Sequence, residues 1–190
     1  MESENILFSN YLSSIKITLV GTTHPGNIGA SARAIKTMGF KQLDLVNPKE
    51  FPSDQAIYRS KAAKDILHKA SVHKTLLESV KDCELVIGTS ARNRKVPWPV
   101  LNPKDAAKEI QTQVKNNSKV AVVFGREDRG LTNEELGLCN LHVHIPTNQE
   151  YASLNLAQAV QIMTYEIRMR FLEFESLENK QDWDVNLATS

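Results

Sequence analysis

The chain has 190 residues, 41% hydrophobic and 24% charged, with a formal net charge of +1. That length suits one domain with a sizeable core, and no apolar run approaches the roughly 20 residues of a membrane span. The near-neutral balance excludes a stripped-down basic RNA-binding module, so any nucleic acid is met through a local patch.

The first residues, MESENILFSN, lack a positive n-region and a long apolar stretch, so no signal peptide is expected. Cys83 and Cys139 are the only cysteines. Without CxxC spacing they read as two reduced, partly buried thiols of a cytoplasmic protein. Ile15–Val20 reads as a strand. Asn27–Met38 reads as a helix, with Gly39 placed to stop it and Phe40 to pack after the turn. Leu43–Val46 is a second strand, ended by Asn47-Pro48. Ser53 is a cap for a helix from Asp54, and helical pattern continues to about Ser79. Glu84–Gly88 is a third strand. Asn102-Pro103 opens a helix. Val120–Phe124 is a continuous apolar strand, the kind buried on both faces of a parallel sheet. Thr132 and Glu135 fit a capping box. Leu141–Ile145 is a short strand, and Ser153–Phe174 is the longest helix. Strands alternating with helices predict an α/β domain with a largely parallel sheet. Its expected extent is residues 1–175. A polar tail over 176–190 reads as frayed or as the start of an extension.

Ligands of open α/β sheets bind beyond the carboxyl ends of the strands. Four segments follow such ends: Thr22–Gly29, Thr89–Arg94, Gly125–Gly130 and Pro146–Asn155. All are polar, glycine-bearing or small. GNIGAS is neither GxGxxG nor GxxxxGK[ST], which excludes a dinucleotide fingerprint and a P-loop. The helix puts Gly29, Arg33 and Lys36 on one stripe beside an apolar stripe of Ile28, Ala32 and Ile35. On spacing alone, Arg33 is equally a site residue near a close approach at Gly29 and a surface cation in a salt bridge. Thr89-Ser90-Ala91 reads equally as a turn. Gly125, directly after a buried strand, reads as a close approach of backbone to ligand. Ser153 reads as a helix cap, with or without a further role. His142 and His144 share a strand face, but no further ligand stands at metal spacing, so no metal is expected. No GxSxG elbow is present. Arg92-Asn93-Arg94-Lys95 beside Trp98 is a plausible RNA contact, and a loop anchored by a buried indole explains Trp98 equally well.

Three segments stand in series: NIGASARAIKTMGF, VVFGREDRGLTNEEL and IPTNQEYASLNLAQAVQIMTYE. They resemble the three signature motifs of the SpoU–TrmH branch of the SPOUT methyltransferases, from about Ile15 to Phe171. The resemblance implies a parallel-sheet α/β fold with a C-terminal deep trefoil knot, assembled as a homodimer whose active site draws on both subunits. It implies S-adenosylmethionine as cofactor, contacted by Thr89, Ser90, Ala91, Gly125, Ile145, Ala152, Ser153 and Leu154. It implies methylation of a ribose 2′-hydroxyl in tRNA, at the cytidine or uridine that opens the anticodon loop. The alternatives are another tRNA position, rRNA, or a non-catalytic cofactor- and RNA-binding protein on the same scaffold. The catalytic residues carried over are Asn27, Arg33, Glu127, Ser153 and Asn155. Glu127, Ser153 and Asn155 are expected to orient Arg33 and the nucleotide. Arg33 is expected to bind the target phosphate and acidify the hydroxyl by its charge, because arginine stays protonated. The expected RNA patch is Arg33, Lys36, Arg92, Arg94 and Lys95, with Arg59 and Lys61 as additions. Some relatives continue past this length with a helical, tRNA-binding segment. No membrane partner is expected.

Overall fold

The computed structural model describes residues 2–90, 100–148 and 150–188, with side chains from 8 to 174 within those ranges. Seven strands form one sheet: β1 Ile15–Val20, β2 Gln42–Val46, β3 Ser71–His73, β4 Leu85–Ser90, β5 Val100–Leu101, β6 Val120–Phe124 and β7 Leu141–His144. Their order is β3-β2-β1-β6-β4-β7-β5, and every pairing is parallel. The helices are α1 Glu2–Ser13, α2 Pro25–Thr37, α3 Asp54–Ser60, α4 Lys64–His68, α5 Leu76–Val80, α6 Pro103–Lys115, α7 Asn133–Gly137 and α8 Leu156–Ala188, with a 3-10 turn at Lys61–Ala63. Among the described residues no helix is long and apolar enough to cross a membrane.

Alternation along the strands sends two sets of side chains to opposite faces. Ile15, Ile17, Leu19, Leu43, Leu45, Val120, Val122 and Phe124 enter the larger core, against α1, α2, α6 and α8. Val20, Val46, Val86, Ala121 and Val123 enter a smaller one, against α5 and α7. Residues 120–124 are all buried, as a strand covered on both faces must be.

Local chemistry sets the helix ends. Gly39 has φ +87°, and its N–H donates to Lys36 O while Phe40 N–H donates to Ile35 O. That is a Schellman stop for α2, with Phe40 buried after it. Asn102 Oδ1 accepts from Asp105 N–H at 2.9 Å with Pro103 at the first position of α6. Thr132 and Glu135 form the expected capping box. Ser53 precedes α3 as expected, but its buried hydroxyl caps no N–H. α8 also differs from expectation. Asn155, not Ser153, caps it, accepting from Ala157 N–H at 2.9 Å. The helix runs past Phe174 to Ala188, because residues 156–188 hold no proline or glycine and polarity alone does not end a helix. The helical pattern expected to about Ser79 is interrupted by β3. β3 and β5, three and two residues long, show no readable period.

Gly29 lies inside α2, where a Cβ would overlap the Ala56 carbonyl oxygen of α3. The close approach expected at this glycine is therefore made by α3. Gly29→Ala would gain up to about 1 kcal/mol of helix propensity. Crowding against fixed backbone costs about 1–3 kcal/mol. We expect a net loss, read as a lower thermal unfolding midpoint for Gly29→Ala.

Candidate active site

β1, β6, β4 and β7 are consecutive neighbours in an all-parallel sheet. Their carboxyl-terminal loops therefore leave the same edge side by side. The loops after β4, β6 and β7 wall a cavity of about 340 Å³. Thr89, Ser90, Gly125, Ile145, Ala152, Ser153 and Leu154 all line it. These are seven of the eight expected cofactor contacts; Ala91 lies outside the described residues. Phe124, Leu131, Leu136, Leu156 and Ala159 add an apolar floor; they lie within the motif segments, but no role was expected of them. Thr89 Oγ1 donates to Val123 O at 3.0 Å, tying the end of β4 to β6. His144 Nδ1 lies 3.1 Å from Ser90 O, while His142 is buried.

Gly125, which lines the cavity, is also needed for the folding of its own loop. A Cβ there would overlap the backbone of Gly130 and Leu131. The 125–131 segment folds back on itself, with Arg126 N–H to Gly130 O and Gly130 N–H to Arg126 O. Gly130, at φ +70°, makes that return. Within it, neighbouring side chains point to different partners. The Arg126 guanidinium forms a two-pronged pair with Glu135, at 2.9 and 3.0 Å. It also lies across Gly21, where a Cβ would come within 2.7 Å of its Nε. Hydrogen bonding to Glu135 raises the Arg126 pKa despite burial. Burial opposes ionisation of Glu135, but the hydrogen bonds from Arg126 and Thr132, with the Arg126 charge, together outweigh it and lower its pKa. Sequence reading saw Glu135 only as a capping residue.

Glu127 turns the other way. Its carboxylate accepts from Thr23 N–H and Thr23 Oγ1, both at 3.0 Å, from His24 N–H at 3.2 Å and from Asn27 Nδ2 at 3.0 Å. Asn27 Oδ1 in turn accepts from Asn155 Nδ2 at 3.0 Å. Glu127, Asn27 and Asn155 thus form one hydrogen-bonded chain joining the β6 loop, the start of α2 and the start of α8. None of these bonds reaches Arg33 of the same chain. Arg33 is exposed on α2 and does not line the cavity. Lys36, expected to bind RNA, donates to Ala62 O at 2.9 Å and pairs with Asp65 at 2.7 Å. Arg92, Arg94, Lys95 and Trp98 lie outside the described residues. The thiols of Cys83 and Cys139 are free. Burial pushes them up to about 11 and about 12, so both stay protonated near neutrality.

A parallel α/β sheet with a cavity walled by the loops after its central strands, and with these motifs on those loops, defines a SpoU-type methylase. The chain belongs to the SpoU rRNA Methylase family, which it matches over residues 14–165. It is 50% identical over 171 residues to the tRNA (cytidine/uridine/adenosine-2′-O-)-methyltransferase TrmJ of Pseudomonas aeruginosa, covering 90% of this chain and 66% of that protein. A probable methylase family protein from Haemophilus influenzae superposes with a TM-score of 0.82 at 47% identity, over 87% of this chain and 69% of that one. The SpoU methyltransferase AviRb of Streptomyces viridochromogenes, solved in complex with the cofactor AdoMet, shares the fold at a TM-score of 0.68 and 20% identity, over 83% of this chain and 60% of that one. The chain spans 66% and 63% of the length of the first two curated relatives it matches, just under two thirds.

Burial opposes ionisation of Glu127, but hydrogen bonds from Asn27, Thr23 and His24 outweigh it, so its carboxyl sits below the usual value. The folded chain therefore binds this proton less readily than the unfolded chain. The resulting stability is present above the ordinary carboxyl range and is lost as pH falls through the folded value. The unfolding midpoint is expected to drop as pH falls below the ordinary carboxyl range. Glu127→Gln should flatten part of that drop; an unchanged profile would remove Glu127 from the account.

Proposed function

We propose that the chain methylates a ribose 2′-hydroxyl of tRNA, at the cytidine or uridine that opens the anticodon loop, with S-adenosylmethionine as the methyl donor. One observation carries the reading. All seven described residues that the family resemblance marks for the cofactor line a single cavity, and Glu127 on its wall is hydrogen-bonded through Asn27 to the helix that bears Arg33. The names of the TrmJ relatives favour tRNA over rRNA.

The cavity fits such a cofactor. About 340 Å³ is ordinary for a small-molecule site, and the lining combines an apolar floor with a few hydroxyls and small-residue backbone. Thr89, Ser90, Gly125 and Ala152 to Leu154 would hold it. When bound, it supplies an electrophilic methyl group on a sulfonium. The residues of the chain then have two tasks: hold the nucleotide in line and ease removal of its 2′-proton. Arg33 does the second electrostatically. Its guanidinium binds the target phosphate and stabilises the developing 2′-oxyanion while the proton passes to solvent water. Asn27 and Asn155 fix the start of α2, and Ser153 positions the nucleotide at the cavity rim.

Arg33 lies on α2 outside the cavity of its own chain, so we assign it to the cavity of a second copy. That is the homodimer with composite sites that the family resemblance implies. The same reading includes a deep knot. β6 takes its place between β1 and β4, and β7 between β4 and β5, strands that precede them in the chain. Ile145 and Ala152 to Leu154 then line the cavity wall before α8 starts. This late insertion of strands is what supports a threaded topology.

Arg33→Lys keeps a charge but loses the planar fork. It is expected to lower the rate of methyl transfer to a tRNA transcript by about 10²-fold or more, with tRNA binding retained. The assay is incorporation of labelled methyl from the cofactor, with nucleoside mapping of the product. Near-normal transfer by Arg33→Lys would overturn this role for Arg33. Methyl found on a base, or on no ribose of the anticodon loop, would overturn the reaction.

A further inference from the structure

One cluster outside the cavity stands on the same side of α2 as Arg33. Gly29, Arg33 and Lys36 share a stripe about 10 Å long on that helix. Both ends of the stripe touch the segment from α3 to α4. A Cβ at Gly29 would come within 2.9 Å of Arg59 Cβ, and one at Gly26 would lie 3.6 Å from Arg59 Cγ. At the other end Lys36 Nζ donates to Ala62 O at 2.9 Å. Arg33, between them, stands on the rim that also carries Arg59 and Lys61, and all three are exposed.

The turn at the end of α3 has an unusual residue. Lys61 has φ 51° and ψ −119°, a conformation that glycine takes freely and L side chains rarely adopt. Its ammonium lies 4.0 Å from the centroid of the Tyr58 ring, and Tyr58 is 68% exposed. A glycine would make this turn without strain, whereas the lysine adds a cation beside an exposed ring. Strain kept at a position that a glycine could fill without it points to function. Of the carboxylates nearby, Asp65 pairs with Lys36 and Asp54 begins α3. Among the described residues no carboxylate pairs with Arg59 or Lys61.

We propose that Tyr58, Arg59 and Lys61 form an RNA-docking knuckle, which rests on the tRNA reading above. Arg59 and Lys61 hold backbone phosphates next to the one bound by Arg33. Tyr58, with Lys61 over one face, stacks an unpaired base on the other. Two cations and an exposed aromatic without acidic neutralisation complement single-stranded loop RNA, which offers both phosphates and splayed bases.

The test is binding of an unmodified tRNA transcript to the 190-residue chain across a salt series, with thermal unfolding alongside. Lys61→Gly relieves the strain, so its unfolding midpoint should equal or exceed that of the parent. Its affinity should still fall about fivefold, with a log–log salt slope shallower by about 0.7–0.9, one phosphate contact. Tyr58→Ala should lose about fivefold with the slope unchanged, and Tyr58→Phe should restore binding. In methylation assays these losses should appear in KM with kcat unchanged. Parental affinity and slope in both Lys61→Gly and Tyr58→Ala would overturn the knuckle alone. A parent chain that binds no tRNA would overturn the tRNA reading together with it.

Discussion

The Glu127 carboxylate is where the pieces of this site meet. Two backbone N–H groups, one hydroxyl and one side-chain amide converge on its two oxygens. The loops after β1 and β6 leave neighbouring strands, yet parallel pairing alone does not set how their tips lie. A charged acceptor with four donors does, because charge-assisted bonds are shorter and stronger than neutral ones. Asn27 carries the constraint onward to Asn155, which also caps α8. One carboxylate thereby ties the register of α2 and α8 to the cavity wall. Arg126, its neighbour, anchors the same loop from the opposite side through Glu135. A short loop held at two adjacent residues in opposite directions has little freedom. That is the preorganisation a binding wall needs.

The legible parts of the fold had a local physical cause. α2 ended at Gly39 because Gly39 and Phe40 satisfy the Schellman pattern, and α6 began at Asn102 because Asn-Pro caps and starts a helix. β6 was recognisable from five consecutive apolar residues, all of which are buried. β3 and β5 were not, because their pairing with β2 and β7 is a tertiary fact that three- and two-residue segments cannot display. The start of α8 was misplaced by three residues and its cap by two, because Ser153 and Asn155 are both good caps, and the bond from Asn155 to Asn27 decides between them. In the site, the cavity-lining residues were recognisable through motif resemblance. The Arg126–Glu135 pair and the apolar floor were not, since neither has a spacing that sets it apart from an ordinary loop or core.

The sheet is covered unequally, and this places the chemistry. α1, α2, α6 and α8 build the larger core on one face, while the short α5 and α7 cover the other. On that thinner face β1 and β2 carry Lys16, Thr18 and Asp44. Lys16 Nζ donates to Ser79 O at 2.9 Å and Asp82 at 3.0 Å, and Ser79 donates to Asp44 at 2.8 Å. The hydrogen bond from Lys16 holds the Asp82 carboxyl down at about 2. These charges are matched among themselves beneath α5, on residues that do not line the cavity. They belong to the fold's own stability.

The same comparison of partnered and unpartnered charge distinguishes the cations of α2 and its surroundings. Lys36 is neutralised by Asp65, Arg126 by Glu135, and Arg168 gives its guanidinium to the Met38 carbonyl at the end of α2. Each has an internal task. Arg33 has none: among the described residues no acceptor or carboxylate meets it. An exposed, unpaired guanidinium adds nothing to stability and retains its full capacity to bind an external anion in two-pronged fashion. With a net charge of +1, attraction for a polyanion must come from such local surplus and not from the molecule as a whole. The helix that shows this cation to solvent is the one whose start is tied to the cavity wall by Asn27. The start of α2 is thus held rigidly while its middle keeps a free cation, the combination a preorganised anion contact needs.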